Sequence, residues 1–138
     1  MSERLNNNKQ NIQHIDINQI KLLNLDDNKY IVIDLRDEEE YKKFHIKNAV
    51  NIPFRFITKD QFRKRYGMYR KSKTFVLYCS HGGNSMRAAL MLAEMGFKII
   101  NLRGGTSRLE ITQWALRLCA LADMGIRKKH MKTSVDAV

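Results

Sequence analysis

Several residue types that would define a function are scarce in this chain of 138 residues. It contains only two cysteines, Cys79 and Cys119, which are too few for a disulfide framework or a cysteine-rich zinc site. The histidines are scattered along the chain without the spacing of metal ligands, so we expect no bound metal. They are His14, His45, His81 and His130.

Long apolar runs are also missing. No stretch approaches the roughly 20 apolar residues that a membrane-spanning helix needs. Residues 1–13 are polar and rich in asparagine, without the apolar core of a secretory signal. We therefore predict a cytoplasmic protein that does not enter a membrane. Because 43% of the residues are hydrophobic, the chain can build one core, predicted to span residues 14–125. Residues 1–13 are predicted to be disordered, and residues 126–138 to form a basic tail.

Acidic residues are few: 14 Asp and Glu face 25 Lys and Arg, for a net charge of +11. Such an excess attracts small anions and acidic partner proteins. The densest basic runs, at residues 63–65, 70–73 and 127–130, are typical of solvated faces. No motif of RNA recognition accompanies them, so we do not expect a nucleic-acid partner. The oligomeric state stays open between a monomer and a homodimer.

What the chain does contain is an alternation of strands and helices. Short apolar, β-branched runs at residues 30–34, 74–78 and 97–102 predict buried strands, with shorter strands near 15 and 49–52. Strands that alternate with helices predict an α/β domain with a mostly parallel sheet. In such sheets, ligands bind at the carboxyl ends of the strands.

Helix signals lie between the strands. Capping boxes are predicted at Asp16–Gln19, Asp37–Glu40 and Ser107–Glu110, where side chains satisfy the free N–H groups of a first turn. A helix is predicted from Ser85 to Met95, ended by Gly96. Apolar spacing predicts a last long helix, with a buried face. That face comprises Ile111, Trp114, Ala115, Leu118, Cys119 and Ala122.

The stretch richest in chemistry follows the second main strand. Cys79 ends the strand, Gly82 and Gly83 follow in a short loop, and a helix begins near Ser85. The loop N–H groups and the positive end of the helix dipole would form a cradle for an anion. A cysteine that faces such a cradle has its thiolate favoured, and the thiolate is the nucleophile. The same cradle could hold the terminal sulfur of a persulfide.

The sequence resembles the rhodanese-like family at three blocks in the family's order, which together cover roughly residues 14 to 115. A strand ending in Asp-x-Arg is followed by Glu-Tyr, His-Ile, Ala and Asn-Ile-Pro. The loop after Cys79 is similar to Cys-x-x-Gly-x-x-Ser with a helix opening in Ala-Ala, and residues 102–105 resemble Leu-x-Gly-Gly. The matches in the first block are Asp34, Arg36, Glu40, Tyr41, His45, Ile46, Ala49, Asn51, Ile52 and Pro53.

The resemblance implies a three-layer domain, with a central mostly parallel sheet and helices on both faces. It implies a sulfurtransferase of the thiosulfate sulfurtransferase type, whose Cys79 accepts sulfane sulfur from thiosulfate, polysulfide or a protein persulfide. The sulfur then passes to a thiol, cyanide or an acidic acceptor protein. No metal or organic cofactor is implied. The loop predicted to bind the substrate and the persulfide consists of Ser80, His81, Gly82, Gly83, Asn84 and Ser85.

The chain departs from the family at several positions. Many relatives carry Gly where this chain has Phe44 and Asn48. Many sulfurtransferases place an arginine where this chain has Asn84, so the loop lacks one fixed cation. The departure puts a preference for thiosulfate in question more than persulfide chemistry. Candidates for electrostatic compensation are Arg87, Arg55, Arg103 and His81.

Other polar residues are interpreted as structural. Asp34 and Arg36 are expected to tie loops together rather than to act as acid and base, and His45 is expected to be structural too. Cys119 is expected to pack in the core rather than to serve as a resolving thiol.

Two alternative functions remain. A non-catalytic rhodanese-like interaction module would use the basic surface rather than Cys79. A cysteine phosphatase or arsenate reductase would need Cys-x5-Arg, but Ser85 stands where that pattern has its arginine.

Overall fold

The computed structural model describes residues 12–20 and 22–106, together with the backbone of residues 119–120. Within these ranges, seven strands and four α-helices follow one another. The strands are β1 (Ile12–Ile15), β2 (Tyr30–Asp34), β3 (His45–Ile46), β4 (Val50–Asn51), β5 (Thr74–Tyr78), β6 (Lys98–Leu102) and β7 (Cys119–Ala120). The helices are α1 (Ile17–Ile20), α2 (Glu38–Lys43), α3 (Lys59–Tyr66) and α4 (Gly83–Glu94), and short 3-10 turns cover Phe54–Phe56 and Gly67–Tyr69.

Five of the strands form one sheet in the order β1-β6-β5-β2-β4, and every neighbouring pair is parallel. Strands β2 and β5 pair from Tyr30 with Thr74 to Asp34 with Tyr78, so both end at the same edge. The predicted parallel α/β sheet is confirmed, and β2 and β5 have the predicted bounds. Strand β1 starts at Ile12, two residues before the predicted domain start.

The two faces of the sheet bury two separate cores, because successive side chains of a strand point to opposite sides. Phe75 and Leu77 of β5 pack with α3 and α4, whereas Val76 and Tyr78 pack on the other face, where Ile20 of α1 lies. Helices therefore lie on both faces, as expected. Within the described ranges, no helix is long and apolar enough to cross a membrane.

The local predictions at Asp16 and Gly96 are both confirmed. The capping box at Asp16 is confirmed: Gln19 N donates to Asp16 Oδ1 over 2.9 Å, and Asp16 N donates to Gln19 Oε1 over 2.9 Å. Gly96 ends α4 with a φ of +93°, as predicted. Asn48, where many relatives carry glycine, also adopts a left-handed backbone, with a φ of +68°. Asparagine tolerates this conformation better than most residues.

The prediction for the end of the chain is wrong in one place. Residues 119–120 form β7, which pairs antiparallel with β3, so that Cys119 stands opposite Ile46 and Ala120 opposite His45. Cys119 therefore does not belong to a helix that continues to residue 122. Pairing with β3 overrides the local helical periodicity, because it satisfies backbone groups of another strand. The remainder of the predicted last helix, and the capping box at Ser107, lie outside the described residues.

Two buried tyrosines provide a test of the core. The hydroxyl of Tyr66 is buried and has no hydrogen-bond partner among the described residues. The hydroxyl of Tyr78 donates to Asp34 Oδ2 over 2.7 Å and accepts from Ile46 N over 3.0 Å. We expect Tyr66→Phe to leave the free energy of unfolding unchanged or raise it by about 1 kcal/mol, whereas Tyr78→Phe lowers it by about 2–3 kcal/mol. Urea unfolding measures both free energies. Equal losses in the two variants would contradict the different hydrogen bonding of the two hydroxyls.

Candidate active site at Cys79

The strand alternation places Cys79 against helix α4. Cys79 follows β5 directly and continues the series Phe75, Leu77, Cys79 on one face of the sheet. Its side chain is only 5% exposed. The thiol therefore lies at the carboxyl end of a central strand, beneath the start of α4, where parallel sheets bind ligands.

The loop after Cys79 curls around the sulfur. Gly82 N donates to Cys79 Sγ over 3.0 Å, and Ser85 N donates to the same sulfur over 3.3 Å. This turn requires glycine at position 82, where φ is +97°. Ser85 is buried, and its hydroxyl donates to Gly82 O over 3.2 Å, which closes the turn. Two N–H donors and the helix dipole stabilise negative charge on the sulfur.

The same loop contains further backbone N–H groups. Helix α4 starts at Gly83, slightly before the predicted start near Ser85. The first N–H groups of any helix lack partners within that helix. The backbone N–H groups of Ser80, His81, Gly83 and Asn84 donate to no acceptor among the described residues. They are available to a bound anion.

The loop after β6 contacts the loop that follows Cys79. Thr106 N donates to Cys79 O over 3.0 Å, and Gly105 lies against the backbone that follows Cys79. A β-carbon at Gly105 would stand 2.4 Å from Cys79 O and from the carbonyl carbon and oxygen of Ser80. The resemblance indicated Leu-x-Gly-Gly as a family feature. Only the tertiary structure shows that its second glycine contacts the active-site loop.

A buried ion pair fixes the neighbouring strand end. Asp34 and Arg36 are nearly inaccessible, and Arg36 Nη2 lies 2.8 Å from Asp34 Oδ2. Burial lowers the pKa of Arg36, but the hydrogen bond to Asp34 and its charge outweigh burial and leave the pKa raised. Burial, and then Asp34, raise the pKa of Tyr78 well above its ordinary value. Arg36 Nη2 also donates to Phe44 O over 2.5 Å. The contacts match the structural role expected for Asp34 and Arg36.

His45 makes structural contacts as well. Its ring stacks on Tyr41 with centroids 3.8 Å apart, and its Nδ1 lies 2.8 Å from Tyr41 O. Tyr41 donates in turn to Ala49 O over 2.7 Å. Burial raises the pKa of Tyr41, and Asp34 raises it further. This cluster orders the chain between β3 and β4.

The predicted capping box at Asp37 is wrong. Asp37 occupies the N-cap position of α2, but its side chain accepts no capping hydrogen bond. It binds Arg55 instead. Glu40 accepts a hydrogen bond from Ser80 Oγ over 2.8 Å. Both carboxylates serve tertiary contacts, which the local pattern could not reveal.

Cys79 opens into a cleft with a volume of about 840 Å³. Of the predicted residues, Ser80, His81, Gly83, Asn84 and Arg55 line the cleft beside Cys79, whereas Gly82 and Ser85 contribute their N–H groups to the sulfur. Arg87 and Arg103 are exposed and do not line it. The lining residues that sequence reasoning did not assign to the site are Leu35, Arg36, Asp37, Glu40, Lys43, Phe44, Phe54 and Thr106.

The sequence model of the rhodanese-like domain matches residues 18–111. The chain belongs to the rhodanese-like domain family. Within the described ranges of this domain, no group of three or more His, Cys, Asp or Glu side chains could hold a metal ion.

Similar proteins span several contexts. The domain is 33% identical over 99 residues to a probable molybdopterin-synthase adenylyltransferase of Porphyra purpurea, covering 70% of this chain and 25% of that protein. It is 33% identical over 73 residues to the thiosulfate sulfurtransferase PspE of Escherichia coli, covering 53% of this chain and 67% of that protein. A solved structure from Bacillus halodurans, 27% identical, superposes with a TM-score of 0.58, covering 89% of this chain and 92% of that one. The chain spans only about a quarter of the length of the first relative.

Proposed function

We propose that this rhodanese-like domain is a sulfurtransferase that carries sulfane sulfur as a persulfide on Cys79. The observation that carries the proposal is the pair of N–H groups, from Gly82 and Ser85, that donate to Cys79 Sγ. They stabilise the attacking thiolate, and the neighbouring N–H groups, which have no acceptor in the described part of the chain, suit the terminal sulfur of the persulfide. Relatives named as sulfurtransferases support the same chemistry.

The proposed cycle has two displacements. In the first, the Cys79 thiolate attacks the sulfane sulfur of a donor, and the remainder of the donor leaves with the electron pair of the broken bond. In the second, an acceptor such as a thiol or cyanide attacks the outer sulfur and regenerates the thiolate. Because the cradle is formed by backbone groups, it needs no reorganisation between the two steps.

The geometry disfavours phosphatase or arsenate reductase chemistry. Those reactions use a guanidinium that clamps the oxyanion from the loop. Between Cys79 and Ser85 the loop contains no arginine, and Arg87 is exposed outside the cleft. The interaction-module alternative depends instead on exposed cations of α3, such as Lys64 and Arg65.

Intact mass spectrometry tests the proposed function. After incubation with thiosulfate or polysulfide, we expect the protein to gain the mass of one sulfur, about 32 Da, and dithiothreitol to remove it. Cys79→Ala should not gain it. Cys119→Ala is the matched control, because it removes the other cysteine and should load like the wild type. No gain from either donor would reject the enzyme and favour the interaction module.

A further inference from the structure

The edge of β2 that faces β4 is only partly covered. Strand β4 pairs with Ile33 and Asp34 alone, whereas β5 pairs with β2 along its full length, from Tyr30 to Asp34. In the described part of the chain, residues 30–32 therefore have no neighbouring strand on the side of β4.

The hydrogen bonds of β2 show which backbone groups point to this open edge. Thr74 N, on β5, donates to Lys29 O over 2.8 Å, so the odd-numbered residues of this stretch bond to β5. Ile52 N donates to Asp34 O over 3.0 Å, so the even-numbered residues point to the side of β4. Because backbone groups alternate between the two neighbouring strands, residues 30 and 32 present theirs to the open edge.

Two of these backbone groups have no partner. Tyr30 N donates to Asp27 O, but Tyr30 O and Val32 N form no hydrogen bond with another described residue. These two groups flank Ile31. In a parallel pair, one residue bonds both to the C=O before and to the N–H after the residue that it faces. One residue of an extended chain opposite Ile31 would therefore satisfy both groups.

A pocket of about 430 Å³, the β2-edge pocket, lies at this open edge. Its walls come from both faces of the sheet: Ile31 packs with the core on the side of α3, whereas Leu25 and Tyr30 pack with the other core. Tyr66 and Tyr69 line it on the side of α3. Because facing residues of neighbouring strands point to the same side, a residue opposite Ile31 would direct its side chain toward these two tyrosines.

Each tyrosine of the β2-edge pocket has a cation over its ring. The pairs are Lys29 with Tyr30, Arg65 with Tyr66 and Lys73 with Tyr69, at 5.1, 5.0 and 5.0 Å from the ring centroids. None of the three cations forms a salt bridge with a carboxylate among the described residues.

The acids of the neighbouring turn do not neutralise these cations. Asp26 Oδ1 lies 3.7 Å from Lys47 Nζ and accepts from Asn48 over 3.2 Å. Asp27 Oδ1 accepts from Lys29 N over 3.0 Å. With Lys47 included, four cations face two carboxylates around the pocket, so its rim is positive and attracts acidic groups.

We propose that the β2-edge pocket docks an extended acidic segment of a partner protein, which adds to the open edge of β2 as a short strand. Tyr30 O and Val32 N hold the backbone of the segment, Tyr66 and Tyr69 contact one of its side chains, and the cations attract its flanking carboxylates. Segments of this same chain fit less well, because residues 1–11 and residues 107–138 each carry a net positive charge.

The docking site is separate from the reactive thiol. The β2-edge pocket lies beside the start of β2, whereas Cys79 follows the end of β5, and the two strands are parallel and in register. A short segment bound at the pocket therefore leaves the cleft at Cys79 open. The inference goes beyond the proposed function and does not depend on it.

Peptide binding tests the proposal directly. The probes are four fluorescein-labelled octapeptides with two acidic residues at each end and β-branched residues between them. Their central residue is leucine, phenylalanine, tyrosine or valine. By fluorescence anisotropy with the full chain, we expect at least one to bind with a dissociation constant of about 100 µM or lower.

The backbone of the peptide provides the second measurement. Methylation of one peptide nitrogen at a time removes one backbone donor and leaves every side chain in place. We expect a loss of about tenfold in affinity at the residue opposite Ile31 and little change at its two neighbours, whose N–H groups point away from β2. In the amide spectrum of the protein, binding should slow the hydrogen exchange of Val32 and leave the signals of residues 80–85 in place.

A charge variant tests the acidic specificity. Lys29→Gln combined with Arg65→Gln removes two exposed cations of the pocket rim, and we expect the affinity for the best peptide to fall about tenfold. The matched control is Lys59→Gln combined with Lys98→Gln, which removes the same charge at exposed positions that do not line the pocket. Solvent screens those positions, so the affinity should change less than about twofold.

Three results would overturn the docking proposal. The first is no binding of any of the four peptides at concentrations up to about 1 mM. The second is binding that methylation of the peptide backbone or the rim variant does not weaken more than the control. The third is binding of an oligouridylate, but of no peptide, with the same loss in the rim variant, which would assign the pocket to RNA. Sulfur loading of Cys79 should be unchanged in the rim variant, and its failure in wild-type protein would reject only the proposed function.

Discussion

Replacing Gly105 with alanine is expected to lower the free energy of unfolding by about 3 kcal/mol or more and to abolish sulfur loading. Two effects combine, because the new β-carbon would stand 2.4 Å from the backbone of Cys79 and Ser80 and because φ at Gly105 is +67°. Overpacking costs about 1–3 kcal/mol. A non-glycine residue in a strained backbone region costs about 1–3 kcal/mol more. Either the fold is lost or the loop moves away from its position around the sulfur.

Two other glycines separate these effects. Gly104 has a φ of +80°, but a β-carbon there meets no atom within 4 Å, so Gly104→Ala should cost only about 1 kcal/mol. Gly83 has neither problem, and Gly83→Ala should leave stability unchanged or raise it by up to about 1 kcal/mol. Urea unfolding of the three variants gives the series. A loss at Gly105 no larger than the loss at Gly104 would show that the close approach does not matter.

Breaking the buried ion pair is the second substitution with a large expected effect. Arg36→Met would leave the carboxylate of Asp34, which is 0% exposed, without its counterion. An unpaired charge in such a site lowers the free energy of unfolding by about 3–5 kcal/mol. Tyr78 still donates to Asp34 Oδ2, but one hydroxyl does not replace a guanidinium. Chemical denaturation at neutral pH measures the loss.

The pair Lys42 and Glu38 provides the comparison. It has a similar separation of 2.9 Å, but both side chains are 68% exposed. Lys42→Met should therefore change stability by less than about 0.5 kcal/mol. The double variant Asp34→Asn, Arg36→Met should recover part of the loss, because no bare charge remains buried. A double variant less stable than Arg36→Met alone would contradict this explanation.

Much of the fold could be predicted because it depends on local patterns. The β-branched runs at 30–34 and 74–78 match β2 and β5 residue for residue, since a fully buried strand needs a continuous apolar run. The reactive loop could also be predicted from a local pattern, because Cys79 follows β5 directly and two glycines come before a helix. Patterns failed where a distant partner competed. Asp37 binds Arg55 instead of capping α2, and Cys119 pairs with β3 instead of extending a helix.

The amino-acid sequence by itself therefore determined the class of sheet, the strand that carries Cys79 and the glycine loop that surrounds it. Each of these follows from periodicity and backbone freedom within a few residues. Only the tertiary structure decided which groups meet around the sulfur. Glu40 reaches Ser80 across 40 positions of sequence, and Gly105 touches the loop from another strand end. Such contacts depend on the order of strands in the sheet, because that order brings the ends of β2, β5 and β6 to one edge.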